Sequence, residues 1–337
     1  MILALLCVAG CGTIHRWEQQ SDQADLRREQ AAGTNLTDSK AERERKHKQA
    51  QREARLRVVQ AALATRKDAD SLAASALFER VIAGPNSSAP LELAGRAVAA
   101  APERADVAFV QLQLCESQAS CDATPLEAHL RQLDPHNGVT WVYALQRADH
   151  AEDAPAWVTA FDALAQAQRI DMYWNRIVSR LATATVSQGS FDAGTAVTEL
   201  IGSESAFSLP LQPVSRVCMV QHFTTAERLE KCRLISAALR HSDTALVEAS
   251  GTSLGVGLWP AASAERQEIV AERRALRYRV EVMTRNEAKL NSPETSRMLA
   301  TLIPKYPSEQ TTMRALYVQL GLDPDPPVGW KDQVPGG

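Results

Sequence analysis

A succession of short amphipathic segments, each ended by a breaker, is the feature that most constrains the fold. Leu126, Leu130 and Leu133, for example, follow the i, i+4, i+7 spacing that places apolar side chains on one face of a three-turn helix. Each such face must be buried against a neighbouring helix, which predicts an all-α fold. Breakers separate the segments at Gly84-Pro85-Asn86, Ala101-Pro102, Thr124-Pro125, Asp134-Pro135 and Asp153-Ala154-Pro155.

Composition supports the same fold class and excludes one class of partner. Aromatic residues make up only 5% of the 337 residues and alanine is abundant, which favours closely packed helices over a β-sandwich. The formal net charge of −3 argues against nucleic-acid binding, which requires a basic surface. We therefore expect no nucleic-acid partner.

Two of the breakers recur at a fixed distance. Pro102 and Pro135 are 33 residues apart, and Arg169-Ile170-Asp171 follows at a similar distance. Asp134-Pro135-His136-Asn137-Gly138-Val139-Thr140-Trp141 resembles the junction between tetratricopeptide repeats, which have a period of about 34 residues. Leu145 stands where that family usually has glycine or alanine. The resemblance implies a solenoid of helix pairs over residues 70–205, and an irregular helical bundle is the alternative.

The regions on either side of these repeats have other patterns. Residues 11–69 are polar and densely charged, with few apolar residues before Leu56, which predicts a disordered or single-helix tether. Residues 206–322 are predicted to be helical without the period, with helices at about 264–289, 293–303 and 308–321. Residues 323–337 are predicted to be a flexible tail.

A short apolar run at the start of the chain ends in Val8-Ala9-Gly10-Cys11. This motif resembles the lipobox of bacterial lipoproteins, in which small residues precede the cysteine that receives the lipid. The resemblance implies a signal peptide at 1–10, lipidation of Cys11 and, because Gly12 is not aspartate, an outer-membrane anchor facing the periplasm. The run lacks the positive charge of a secretory leader, which an earlier start would supply. A cytosolic chain with an apolar N-terminal segment is the alternative.

Four cysteines would remain after lipidation, namely Cys115, Cys121, Cys218 and Cys232. An even number in an oxidising compartment predicts two disulfides, and the local pairs are Cys115–Cys121 and Cys218–Cys232. On one continuous helix the second pair would be about 21 Å apart, so we expect a turn at Thr224, where Thr224 and Glu227 form a capping-box pattern. Buried free cysteines are the alternative.

Cys218, His222 and Cys232 could instead hold a metal ion. A structural zinc site usually takes four ligands in two closely spaced pairs, and the sequence has no second pair here. We expect neither a metal nor a cofactor. Gly251-Thr252-Ser253-Leu254-Gly255-Val256-Gly257 lacks the lysine of a phosphate-binding loop and is interpreted as a glycine-interrupted helix or a helix crossing.

One segment suggests catalysis. Glu204-Ser205-Ala206-Phe207 resembles the Glu-Ser-x-Phe stretch of lytic transglycosylases, in which the glutamate is the general acid and base. Pro210 comes one residue later than in that family, and no Gly-Leu-Met-Gln motif follows. Gly202, Ser203 and Pro210 independently predict a loop with an exposed Glu204.

Together these features favour a binding role over catalysis. We expect a non-enzymatic scaffold lipoprotein whose partner is a protein or peptide, for example as an immunity-type inhibitor of an envelope-targeted toxin. Stacked helix pairs provide long surfaces suited to such partners. A peptidoglycan lytic transglycosylase that uses Glu204 is the alternative.

Overall fold

The computed structural model describes residues 40–84, 86–205, 207, 209–219 and 225–331. These residues form sixteen α-helices and one 3₁₀ turn, without any named strand. The predicted all-α class is therefore confirmed. The helices are α1 (Lys40–Ala64), α2 (Ala69–Ala83), α3 (Ala89–Ala100), α4 (Ala105–Glu116), α5 (Thr124–Leu133), α6 (Val139–His150), α7 (Ala154–Ala165), α8 (Trp174–Val186), α9 (Ala193–Glu204), α10 (Gln212–Val217), α11 (Ala226–Arg240), α12 (Ala245–Leu258), α13 (Ala264–Arg285), α14 (Glu287–Leu290), α15 (Pro293–Leu302) and α16 (Glu309–Gln319).

Local sequence explains where most helices begin. A side chain at the N-cap accepts a hydrogen bond from a backbone N–H of the first turn, as Asp68 does for α2 and Ser308 for α16. Other helices carry proline in the first turn, where its missing N–H costs no hydrogen bond. These prolines are Pro90, Pro125, Pro155, Pro213 and Pro293.

Helix pairs recur along the first part of the chain, but they do not form an open stack. The helices α2, α4, α6 and α8 begin at intervals of 34 to 36 residues. However, α2 packs against α8 and α9 of the fourth pair as well as against its neighbours α1, α3 and α4. In an open solenoid each unit contacts only adjacent units. The contacts of α2 are therefore those of a closed helical bundle.

The central position of α2 follows from its small and apolar side chains. All residues from Ser71 to Phe78 are buried, and Ala73, Ala74 and Ala76 leave room for neighbouring helices to approach closely. Asp70, the half-buried polar residue of its first turn, binds Arg104 across a distance of 2.5 Å. The main core continues from Leu56 to Ile303, so it includes residues on both sides of the predicted boundary at 205/206.

A second, smaller core lies among the C-terminal helices. Tyr278, Leu302, Leu316 and Tyr317 form its centre, between α13, α15 and α16. The helix α15 also packs against α9, where Gly194 lies against the backbone of Arg297. The C-terminal helices are thus attached to the body by α9 on one side and by α12, which contacts α13, on the other.

Two terminal predictions need correction. The predicted tether at 11–69 is a single helix from Lys40, but its last third is part of the core through Leu56, Val59 and Leu63. The predicted flexible tail at 323–337 is packed against the body as far as the structure describes it. Trp330 packs edge-on against Tyr278, and its indole N–H donates to Glu281. The apolar contacts of these few residues were enough to attach segments that composition alone marks as loose. Residues 332–337 lie outside the described part.

Candidate functional site

The proposed lipid-bearing residue, Cys11, and the predicted signal peptide at 1–10 lie outside the described residues. So do Thr224 and His222, which belong to the predicted turn and to the metal alternative. Among the described helices, none is both long and apolar enough to cross a bilayer.

Both predicted cysteine pairs lie at disulfide distance. The Cα atoms are 5.3 Å apart for Cys115 and Cys121, and 5.5 Å apart for Cys218 and Cys232, within the usual range for a disulfide. The first pair joins the end of α4 to the loop before α5. The second joins the residue after α10 to the second turn of α11. In each pair the two sulfur atoms lie at bonding distance from each other.

The helix that follows the turn predicted at Thr224 begins one residue later than the capping pattern implied. The helix α11 begins at Ala226, and its N-cap is Thr225, whose hydroxyl accepts from the backbone N–H of Arg228. The expected Thr224–Glu227 pattern therefore marked the right place one residue early. Cys218 and Cys232 therefore do not lie on one continuous helix, as their pairing requires.

The prediction that Glu204 is an exposed loop residue is wrong. It is the last residue of α9 and only 4% of its surface is exposed. Val197, Leu200 and Glu204 have the i, i+3, i+7 spacing of one helix face, so the face that buries the two aliphatic side chains also buries the carboxyl group. The loop signals from Gly202 and Ser203 were outweighed by this amphipathic face.

Burial changes the acidity of Glu204. Loss of solvation raises the pKa of its carboxyl group to about 7, and the nearby amide of Gln113 on α4 opposes part of that increase. Neither Oε1 of Glu204 nor the amide atoms of Gln113 form a hydrogen bond of normal geometry to any residue in the described ranges. At neutral pH this group can hold or release a proton, but a carboxyl group so enclosed cannot contact a glycan strand without rearrangement.

A charged cluster joins α4, α5 and α6. Arg147 contacts both Glu116 and Glu127, and Arg131 binds Glu127 across 2.9 Å. The guanidinium of Arg131 also stacks on Trp141, 3.6 Å from the ring centroid. Burial raises the pKa of Glu127, and the two arginines oppose that effect. The cluster holds three consecutive helices together by paired charges.

The glycine-rich segment Gly251–Trp259 is not a phosphate loop. Its glycines lie inside α12, and a side chain added at Gly251 would place Cβ 2.6 Å from the backbone nitrogen of Arg240. The interpretation as a helix crossing is therefore confirmed: glycine allows α11 and α12 to approach more closely than any other residue would.

A buried polar network joins distant parts of the chain and was not predicted. Asn137, in the turn before α6, donates from Nδ2 to the carbonyl of Asp171 at 2.8 Å and to the hydroxyl of Tyr173 at 3.0 Å. Its Oδ1 accepts from the backbone N–H groups of Val139 and Asp171. All four hydrogen-bonding positions of this amide are used, so the turn before α6 and the segment before α8 are fixed relative to each other.

The network continues to the C-terminal helices through Asp243. Its two carboxylate oxygens accept from the backbone N–H groups of Met172 at 2.8 Å and Trp174 at 2.6 Å. Its own carbonyl accepts from the N–H of Glu309, and Oε2 of Glu309 accepts from the N–H of Ala245 at 2.8 Å. We call this set of residues (Asn137, Asp171, Asp243 and Glu309) the polar junction. Asn137 and Asp171 lie in the recurring breakers of the sequence, whereas no sequence pattern singles out Asp243 or Glu309.

A small cavity lies between α12, α13 and α16. Its volume of about 20 Å³ is enough for one water molecule. Met283, Met313 and Tyr317 line it together with Arg279, whose Nε has no hydrogen-bond partner in the described part of the chain. Burial lowers the pKa of Arg279, and nearby Glu248 opposes the decrease. The cavity is too small for an organic ligand.

No protein-family model, curated protein or solved structure matches this chain. The site must therefore be interpreted from its own chemistry.

Proposed function

We propose that the protein is a lipid-anchored periplasmic scaffold that binds a protein or peptide partner at the outer membrane. The observation that carries the proposal is the state of the cysteines: all four that follow Cys11 lie in two pairs at disulfide distance. Stable disulfides are rare in cytosolic proteins and common in the periplasm. The lipobox-like Val8-Ala9-Gly10-Cys11 would explain how the body is held there.

The binding role is supported by the fact that the buried polar residues connect helices to one another. The charged cluster at Glu127 and the polar junction use their hydrogen bonds to hold helices together. A rigid helical body on a charged helix is suited to presenting a surface to a partner. An immunity-type inhibitor of an envelope-targeted toxin is one form that this role could take.

The anchor is tested by lipid labelling. A palmitate analogue should label the wild type, and Cys11→Ser should abolish the label and release the protein from membranes. Cys7→Ser is the matched control, because Cys7 precedes the predicted cleavage site and should be dispensable for labelling. Equal labelling of wild type and Cys11→Ser would refute the anchor.

Lytic transglycosylase activity is the second candidate, and the raised pKa of Glu204 favours it. A value of about 7 suits a general acid at neutral pH. The 4% exposure of this residue argues against it, because the acid must contact the glycosidic oxygen. Incubation with purified peptidoglycan decides between the two: we expect no muropeptide release. Release that disappears in Glu204→Gln would establish the enzyme instead.

A further inference from the structure

The N-terminal part of α1 carries a concentration of positive charge that the rest of the chain lacks. Residues 40–57 contain eight lysines and arginines and three glutamates, a formal net charge of +5. The whole chain has a formal net charge of −3, so the residues outside this segment together carry −8. Such a separation of charge between one helix and the remainder of a protein indicates a negatively charged partner for the helix.

This basic segment extends away from the helical body. From Arg43 to Gln51 every side chain that the structure describes is exposed, and the first buried residue of α1 is Leu56. The guanidinium of Arg52 lies 2.6 Å from the carboxylate of Glu199 on α9, which fixes the direction of α1 relative to the body. At 1.5 Å per residue, the helix from Lys40 to Arg52 is about 18 Å long. Its charges are therefore presented to solvent on a rigid element.

Lys48 and Arg55 are the two basic side chains of this segment that are available to a partner. They are seven residues apart on α1, so they lie on one face of the helix, and both are exposed. Neither forms an ion pair or a side-chain hydrogen bond with any residue that the structure describes. Val58, which is 64% exposed, follows Arg55 by one helical turn. We call Lys48, Arg55 and Val58 the basic face.

The chemistry of the basic face suits a layer of anionic lipid headgroups better than an acidic protein. A specific protein interface is held mainly by apolar and aromatic anchors that fill pockets, and this face has only one apolar side chain. A headgroup layer requires no such anchor, because each lysine or arginine near an anionic membrane is attracted through its charge.

The place of α1 in the chain agrees with a membrane partner. Lys40 follows Cys11 by 29 residues, which can span at most about 100 Å. A membrane that holds Cys11 is therefore within reach of α1, and the tether raises the effective concentration of the helix at that surface.

We propose that the basic face of α1 binds anionic phospholipid headgroups of the membrane to which Cys11 is anchored, and so holds the helical body against that membrane. The inference rests on the proposed function for the identity of the membrane. The contact itself requires no lipid on Cys11, so it can be measured with protein that is not lipidated.

Vesicle cosedimentation of the full-length, oxidised chain carrying Cys11→Ser tests the contact. One set of vesicles contains phosphatidylethanolamine and phosphatidylglycerol at about 3:1, and the other contains phosphatidylcholine alone, both at about 0.1 M salt. A basic residue near an anionic surface contributes about fivefold in affinity, so the additional pair Lys48→Gln and Arg55→Gln should weaken binding to anionic vesicles about 25-fold. Higher salt should weaken the binding of the unchanged face, because it screens the charges.

The matched control replaces Lys305 and Lys331 with glutamine. Both lysines are exposed and lie outside α1, and their replacement changes the net charge by the same amount. We expect this control to keep the affinity of the unchanged face. The apolar residues 1–10 are present in every variant, so binding through them would be the same on neutral and on anionic vesicles. Circular dichroism checks that both double variants are folded, and the salt dependence tests the contact without any substitution in α1.

Equal affinities of the two double variants for anionic vesicles would overturn the headgroup contact. Equal binding of the unchanged face to anionic and neutral vesicles, or binding that salt does not weaken, would overturn it too. Capture of an acidic envelope protein by the basic face without vesicle binding would assign the face to a protein instead. Each of these results is independent of the anchor, which the labelling of Cys11 tests separately.

Discussion

Replacing Glu204 with glutamine should make the protein more stable at alkaline pH. The carboxyl group has a pKa of about 7 in the folded protein against 4.5 for an ordinary glutamate, because burial disfavours the charged form. At about 1.4 kcal/mol for each tenfold difference in proton affinity, this corresponds to about 3 kcal/mol. The folded state binds the proton more tightly, so the stabilisation is complete below pH 4.5 and is lost as the pH rises through 7.

An amide stays neutral throughout this range. Glu204→Gln should therefore have a free energy of unfolding within about 1 kcal/mol of the wild type at pH 5, and exceed it by up to about 3 kcal/mol at pH 8. The glutamine could also pair with the amide of Gln113, whose atoms have no hydrogen-bond partner among the described residues.

Urea unfolding of the oxidised protein at pH 5, 6, 7 and 8 measures this difference. Glu103→Gln is the matched control: Glu103 is exposed, so its replacement should leave the pH dependence of the wild type unchanged. Parallel pH profiles for wild type and Glu204→Gln would show that the carboxyl group is solvated and that the reasoning from its burial fails.

Two further predictions concern covalent and steric constraints. Replacing both Cys218 and Cys232 with serine should lower the free energy of unfolding by about 3 kcal/mol, because that disulfide closes a loop of 14 residues. Replacing both Cys115 and Cys121 should lower it by about 2 kcal/mol, because that loop has only 6 residues. Urea unfolding of both variants tests this order, and an equal or reversed effect would contradict it. Gly251→Ala should cost about 1–3 kcal/mol, since its Cβ would lie 2.6 Å from the backbone of Arg240. The control Gly95→Ala, whose Cβ would meet only the end of Gln111 at 3.4 Å, should be neutral or stabilising; thermal unfolding of both variants tests the comparison, and an equal loss in both would contradict it.

Most helix positions followed from the sequence because their causes are local. Prolines at Pro125 and Pro155 and caps such as Thr225 set the starts of helices, and the spacing of Leu126, Leu130 and Leu133 identified an amphipathic helix. The placement of Cys218 and Cys232 on two separate elements was predictable for the same reason.

The arrangement of the helices was not predictable in the same way. A period near 34 indicated helix pairs, but it contains no information on whether the fourth pair returns to the first. That closure depends on α2, whose alanines make it compatible with many neighbours at once. The polar junction depends on it too: Asp171 and Asp243 are 72 residues apart in the chain, and each is individually an ordinary turn residue.

The position of Glu204 could have been inferred from its spacing to Val197 and Leu200, had the helix been extended to it. The loop-forming residues Gly202 and Ser203 conflicted there with the apolar helix face. The helix continued to Glu204 because burying that face removes several side chains from water at once. A breaker-like residue near a helix end does not prevent one more turn when that turn covers the core.

The balance of buried and capping carboxyl groups determines how the whole body responds to pH. Asp68 and Asp192 have lowered pKa values: at Asp68, burial is outweighed by the hydrogen bonds from Ser71 and Arg66 together, and at Asp192 the hydrogen bonds come mainly from Thr195. Their contribution to stability is lost on acidification, but both lie near solvent, where such effects are small. Glu204, Glu248, Glu309 and Asp243 are largely buried and have raised pKa values, so their contribution is lost as the pH rises. Because the buried groups outweigh the exposed caps, the folded body should be more stable at pH 5 than at pH 8, the reverse of a protein held mainly by exposed ion pairs.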